Sequence, residues 1–313
     1  MYTSGQVVIA NDIDNDGDLD LFVGGRVIPD KYPYSPNSYL LINEKGVFKN
    51  KTKDLAKDFE NMGLITDAVF TDYDNDGDKD LIAVGEWTKI QVFENSNGKF
   101  SKKNIPDLEL TAGLWFSIAE KDIDNDGDMD YFVGNLGLNS KFKAKPEKPF
   151  QIFCDDFDKN GTYDVILTNE YKGELVPLRG KECTSQQIPS INEKFKTFND
   201  FAQADLQSIF GEKKLNDALH LTADIFYSIY LENLGNGKFG IIKLPNELQI
   251  APILDFEFID LNQDGVDEIV SVGNMYNTEV ETVRFDASYS NVMTFNNNKF
   301  ELLSYSKTGL SVQ

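Results

Sequence analysis

Histidine and cysteine are nearly missing from this chain. Its 313 residues include one histidine, His220, and two cysteines, Cys154 and Cys183. A structural zinc site needs four nitrogen or sulfur ligands, so these three residues cannot build one. A Ser/His/Asp or Cys/His catalytic set needs a placed imidazole. His220 lies in Ala218-Leu219-His220-Leu221, an apolar setting that reads as structural. Arginine is also scarce, with only Arg26, Arg179 and Arg284. No basic stripe is present to release counterions from phosphate, which excludes nucleic acid as a partner. No apolar run approaches the ~18 residues of a membrane-spanning helix. The start, Met1-Tyr2-Thr3-Ser4-Gly5, lacks signal-peptide character and runs straight into a strand-like segment. A leader removed earlier, or lying upstream, is compatible with that.

Acidic residues are abundant. The net charge is −22, from 52 acids against 30 lysines and arginines. Five nine-residue stretches, starting at Asp12, Asp72, Asp122, Asp156 and Asp260, hold 22 of those acids and two lysines. Elsewhere 30 acids face 28 bases, so the acidity is local to the repeats. Each stretch reads D-x-[DN]-x-[DN]-G-x-x-[DE]. Position 1 is Asp12, Asp72, Asp122, Asp156 or Asp260, and position 3 is Asp14, Asp74, Asp124, Asp158 or Asn262. Position 5 is Asp16, Asp76, Asp126, Asn160 or Asp264, and position 9 is Asp20, Asp80, Asp130, Asp164 or Glu268. Position 7 (Asp18, Asp78, Asp128, Thr162, Val266) is counted among the candidate metal ligands. Oxygens at this spacing, with Gly allowing the sharp turn, describe a loop around a hard cation such as calcium, which takes about six to eight oxygens. Up to five calcium ions are expected. The fourth and fifth copies, with Asn160 and Asn262 replacing carboxylates, predict weaker binding. Metal-free, the clustered charges repel, so folding should depend on the cation.

The helical calcium hand needs a Glu at position 12. Here that position is Val23, Ala83, Val133, Leu167 or Ser271, and the flanks are β-branched and aromatic. Metal-free turns rich in Asp, Asn and Gly are the other reading. Five aspartates in nine residues argue against it for the first three copies, because such charge density is costly unless neutralised.

An apolar run precedes and follows each loop, so each loop joins two strands. A second hairpin signal recurs as Tyr39–Phe48, Val92–Phe100, Tyr230–Phe239 and Met293–Phe300, three of the four turning at a glycine and two at Asn-Gly. Two hairpins make a four-stranded unit, and repeated four-stranded units are β-propeller blades. The expected fold is all-β: five such units over residues 1–313, either closing by themselves or forming part of a roughly seven-bladed propeller. The long interval between the last two loops holds a helical insertion at 189–219 within the fourth blade, with one helix over Thr197–Phe210 and a second short one at Lys213–Leu219. Trp87 and Trp115 read as filling between blades. Cys154, two residues ahead of a loop where other copies have Ala10, Phe70, Glu120 or Phe258, reads as a buried thiol. A disulfide to Cys183 is the alternative.

The loops and the Val-Gly pairs after them (Val23-Gly24, Val84-Gly85, Val133-Gly134, Val272-Gly273) resemble FG-GAP/VCBS repeats of the integrin α-type propeller. Gly63–Ala68, Val84–Trp87 and Gly134–Ser140 resemble the ASPIC/UnbV-associated repeat proteins of Bacteroidetes-type bacteria. The resemblance implies structural calcium, an extracellular or outer-surface location, and adhesion to, or binding of, an extracellular protein or glycan. A carbohydrate-processing component with a site on one propeller face is the alternative.

Overall fold

The structure, a computed structural model, describes residues 3–278 and 282–310. β1 (Ser4–Asn11) and β2 (Asp20–Val27) flank the first loop, with Asn11 opposite Asp20. β3 (Tyr39–Glu44) and β4 (Val47–Asn50) complete a sheet in the order β1-β2-β3-β4. A short helix, α1 (Thr52–Leu55), leads to the second sheet. That sheet is β5 (Leu64–Thr71), β6 (Asp80–Thr88), β7 (Gln91–Ser96) and β8 (Lys99–Lys103), with β9 (Gly113–Leu114) paired to the end of β6. β10 (Ser117–Lys121) and β11 (Asp130–Gly134) flank the third loop.

The chain then departs from the expected order. β12 (Phe150–Asp155), β13 (Asp164–Tyr171), β14 (Glu174–Pro177) and β15 (Leu219–Ala223) form a separate sheet, ordered β14-β13-β12-β15. Only afterwards do β16 (Ile229–Asn233) and β17 (Phe239–Lys243) return to β11, with Phe132 opposite Tyr230. The Tyr230–Phe239 hairpin therefore closes the third unit, although it follows the fourth loop in sequence. The fourth unit is inserted between the second and third strands of the third. The last sheet is β18 (Asp255–Ile259), β19 (Glu268–Val272), β20 (Asn291–Asn296) and β21 (Lys299–Leu302), followed by α7 (Tyr305–Thr308).

The helical segment between β14 and β15 starts upstream of residue 189, with α2 (Lys181–Gln187) and α3 (Ser190–Lys194). The helix expected over Thr197–Phe210 is two, α4 (Phe198–Ala202) and α5 (Leu206–Phe210). Each has its own N-cap: the Asp200 amide donates to Thr197 Oγ1 at 3.1 Å, and the Ser208 amide to Asp205 Oδ1 at 2.7 Å. Asp205 ends one helix and restarts the next, because a cap side chain satisfies the orphan amides of a new first turn. α6 (Glu212–Asp217) follows.

The protein is thus mostly β, built of four-stranded antiparallel sheets arranged as FG-GAP propeller blades are. The first strands β1, β5, β10 and β18 lie side by side in that order. Aromatic hubs fill the space between sheets. Phe59 makes edge contacts with Phe22 of the first sheet and Phe93 of the second, and Phe132 touches Tyr230, Phe256, Phe258 and Phe300. Such ring pairs add ~0.5–1.5 kcal/mol each beyond area burial. Trp115 and Trp87 are buried, as expected. Three glycines of the Val-Gly pairs, Gly85, Gly134 and Gly273, sit where another backbone comes too close for a side chain, and Gly24 sits against the side chains of Val7 and Ile65. A Cβ on Gly134 would stand 2.2 Å from the Ile253 carbonyl oxygen, at the entry to the last sheet.

Because β2, β6 and β11 run away from the loop tips, their ends define the opposite face of the sheets. The inserted unit leaves from that face, after Gly134. Trp87, at the end of β6, stacks on Phe150 of β12 at 5.7 Å, and Cys154 Sγ donates to the Tyr32 carbonyl at 3.5 Å. Cys154 is a buried free thiol, so no disulfide joins it to Cys183.

Candidate metal centres

In all five loops position 4 adopts a left-handed backbone, with φ of 59–63° at Asn15, Asn75, Asn125, Lys159 and Gln263. The glycine two residues later has φ of 87–100°. A side chain there would meet open space, so glycine is required for conformation and not for room. These two residues curl the backbone so that amides point inward. In the second loop, Gly77 and Asp76 amides donate to Asp72 at 3.1 and 3.0 Å, and the Asp78 amide donates to Asp76 Oδ1 at 2.9 Å. The fourth loop repeats this with Gly161 and Asn160 on Asp156 at 2.8 and 2.9 Å.

Position 9 anchors the loop to the sheet. Asp80 Oδ2 accepts the Tyr73 amide at 3.3 Å, and Oδ1 accepts the Asn95 amide at 2.7 Å from the second hairpin. Asp20 does the same with Ile13 and Asn43, and Asp130 with Ile123 and Asn233. These asparagines are structural residues that the hairpin pattern marked without revealing their role. Asn43 and Asn95 also donate their side-chain amides to the position-8 carbonyls of Leu19 and Lys79.

The result is a recurring triad from positions 1, 3 and 9. Ligand oxygens of Asp12, Asp14 and Asp20 lie within 4.8 Å of one another, and the same holds for Asp72/Asp74/Asp80, Asp122/Asp124/Asp130 and Asp156/Asp158/Asp164. The fifth loop, with Asn262 at position 3, forms no such triad of carboxylates among the described residues. There Asn262 Nδ2 bridges Asp264 Oδ2 at 3.0 Å and Glu268 Oε1 at 2.9 Å. Position 5 stands outside each triad, with Oδ1 of Asp16, Asp76, Asp126, Asn160 and Asp264 accepting the position-7 amide. Position-7 side chains turn to other partners: Asp18 accepts the Lys45 amide, Asp78 the Asn97 amide, and Asp128 the Asn75 side chain. Thr162 Oγ1 donates to Asn160, and Val266 has no side-chain oxygen to offer.

The triads are electrostatically unfinished. Asp74 Oδ1 and Asp122 Oδ1 are buried without a hydrogen-bond partner. Burial, followed by neighbouring carboxylates, pushes Asp80 up to about 7 against the hydrogen bonds it accepts. Burial likewise pushes Asp130 and Asp164 up to about 6, and raises Asp14, Asp74 and Asp124. An oxygen-only donor set with orphaned acceptors suits a hard cation, and such a triad can hold a metal ion. Neighbouring loops are also linked. Asn233 Nδ2 donates to the Tyr73 carbonyl of the second loop at 2.9 Å, and Lys121 pairs with Asp267 of the fifth.

Residues 12–83 and 72–133 match the family model of the FG-GAP-like repeat. Each matched FG-GAP-like repeat runs from one triad across the sheet to the apolar strand after the next loop, so the match covers the first three loops. It ends at Val133, one residue before the insertion breaks the repeat order. No curated protein matches the chain.

Proposed function

We propose that this chain is a calcium-binding propeller module in which calcium is structural, acting outside the cell in adhesion or ligand binding. The observation that supports it is the fourfold recurrence of one carboxylate triad, with the loop glycine amide donating to the position-1 aspartate each time. Calcium on each triad would neutralise carboxylates that burial makes costly to ionise, and would fix the tip of each inner hairpin. Extracellular calcium modules bind at roughly 0.1–1 mM, an affinity that loops with this much solvent exposure would match. The resemblance to FG-GAP/VCBS repeat proteins is the reason for placing the module at the cell surface or in a secreted protein. The segments Gly63–Ala68 and Gly134–Ser140 favour kinship with the ASPIC/UnbV-associated repeat proteins. The second segment forms the exit into the insertion, where the Asn135 side chain donates to the Ile225 carbonyl at 3.2 Å.

The test is thermal unfolding with calcium, with magnesium and with chelator. Each occupied site stabilises the native state by about 2.7 kcal/mol at a hundred times its dissociation constant. Calcium is expected to raise Tm well above the chelated protein and more than magnesium does. Identical melting with calcium and chelator would overturn the reading.

A further inference from the structure

The inserted unit carries a groove that the metal centres do not use. Antiparallel pairing of β12 with β15 sets Phe153 directly opposite His220. The two rings stack with centroids 4.2 Å apart and planes 5° off parallel. Two residues earlier on β12, Gln151 shares that face of the sheet, and its Oε1 lies 2.8 Å from His220 Nε2. This contact fixes the imidazole in place. Partial burial lowers the pKa of His220, which favours the uncharged ring. Above this platform the helices leave a groove of about 520 Å³, its apolar floor including Leu206 and its rim carrying Glu174, Gln207 and Asn216. No lysine or arginine lines it.

We propose that this groove binds a neutral oligosaccharide, with one sugar ring packing on the exposed His220 imidazole and hydroxyls along the chain bonding to Gln151, Glu174, Gln207 and Asn216. A planar, uncharged, solvent-exposed ring offers the flat apolar surface that the C–H face of a pyranose needs. Amides and a carboxylate around it supply acceptors and donors for hydroxyls. The absence of a lining cation disfavours phosphate, sulfate or uronate groups, and the shape of an open groove favours a chain over a single compact ligand. The proposal does not depend on the cation in the loops and is tested in calcium-saturated protein.

His220 is the sole histidine, so its imidazole gives one Cε1 and one Cδ2 proton signal, free of overlap from any other histidine, in an NMR spectrum. Cello-, xylo-, laminari-, malto- and chito-pentaose are titrated in turn, with a heparin-derived sulfated oligosaccharide as the anionic arm. The expected result is a saturable shift of the His220 signal with at least one neutral pentaose. Calorimetry with that sugar is expected to show about tenfold weaker binding for His220→Ala and for Gln151→Ala, measured at a temperature where circular dichroism shows both variants folded. No shift with any neutral sugar, a shift only with the sulfated one, or undiminished binding by both variants would each overturn the proposal. The wild-type titration decides the matter even if a variant fails to fold.

Discussion

Asp80 is held by two backbone amides, yet burial still pushes its carboxyl up to about 7. Its unfolded value is near 3.9. Between those values the folded, metal-free protein binds more protons than the unfolded chain, so stability must fall as pH rises. Asp130 and Asp164, both at about 6, act in the same direction. Bound calcium reverses the sign, because protons then compete with the cation for the same oxygens. Chelated protein is expected to melt at higher temperature at pH 5 than at pH 8, and calcium-loaded protein at lower temperature; differential scanning calorimetry across that range checks both slopes. Asn95→Ala removes a side chain that bridges the Lys79 carbonyl and the Gly98 amide. Losing those buried partners is expected to cost roughly 1–3 kcal/mol in urea unfolding and to weaken calcium binding at the second loop. At this scale the sequence showed the triad members, because oxygen ligands at fixed spacing are a property of the loop itself. It did not show the role of Asn95 or the turn of Asp78 toward the Asn97 amide, because those depend on a hairpin that begins a strand later and contributes its amides only once folded.

Among the elements, the Val-Gly pairs read as a repeat mark, while at Gly85, Gly134 and Gly273 their reason lies in close approach between backbones. Gly134→Ala would force a methyl against the Ile253 carbonyl oxygen and Ser117 Oγ. Overpacking of this kind costs about 1–3 kcal/mol, and a urea midpoint lowered accordingly, with an unchanged slope, is the expected outcome. Strand existence was legible from alternation and from the turns. Pairing was not: nothing in Tyr230–Asn233 says that it joins β11 and not the nearer β13. That choice follows from β13, whose two edges are already taken by β12 and β14. The division of the expected helix at Asp205 was visible only as a polar residue between two apolar stretches. A capping aspartate and an exposed one look alike until an amide such as that of Ser208 is in reach.

For the molecule as a whole, four triads and one amide-bridged loop predict an order of loading. Native mass spectrometry at rising calcium is expected to show four ions binding ahead of a fifth. Asn262→Asp, which replaces the bridging amide by a carboxylate, is expected to draw the fifth ion to lower calcium concentration. Loss of the gap between four and five in the wild type would contradict this order. The inserted unit has a further consequence, for synthesis. The third sheet cannot be completed when β11 emerges, because its partner β16 lies beyond the whole span from Asn135 to Ser228. At ribosomal rates of about 5–20 residues per second, the β10–β11 hairpin waits on the order of 5–20 seconds with one edge unpaired. During that wait the fourth unit has time to gather its own core around Phe157, Phe201 and Phe210. The nascent chain is therefore expected to fold from the inside of the third blade outward, with Phe132 exposed to chaperones until Tyr230 arrives.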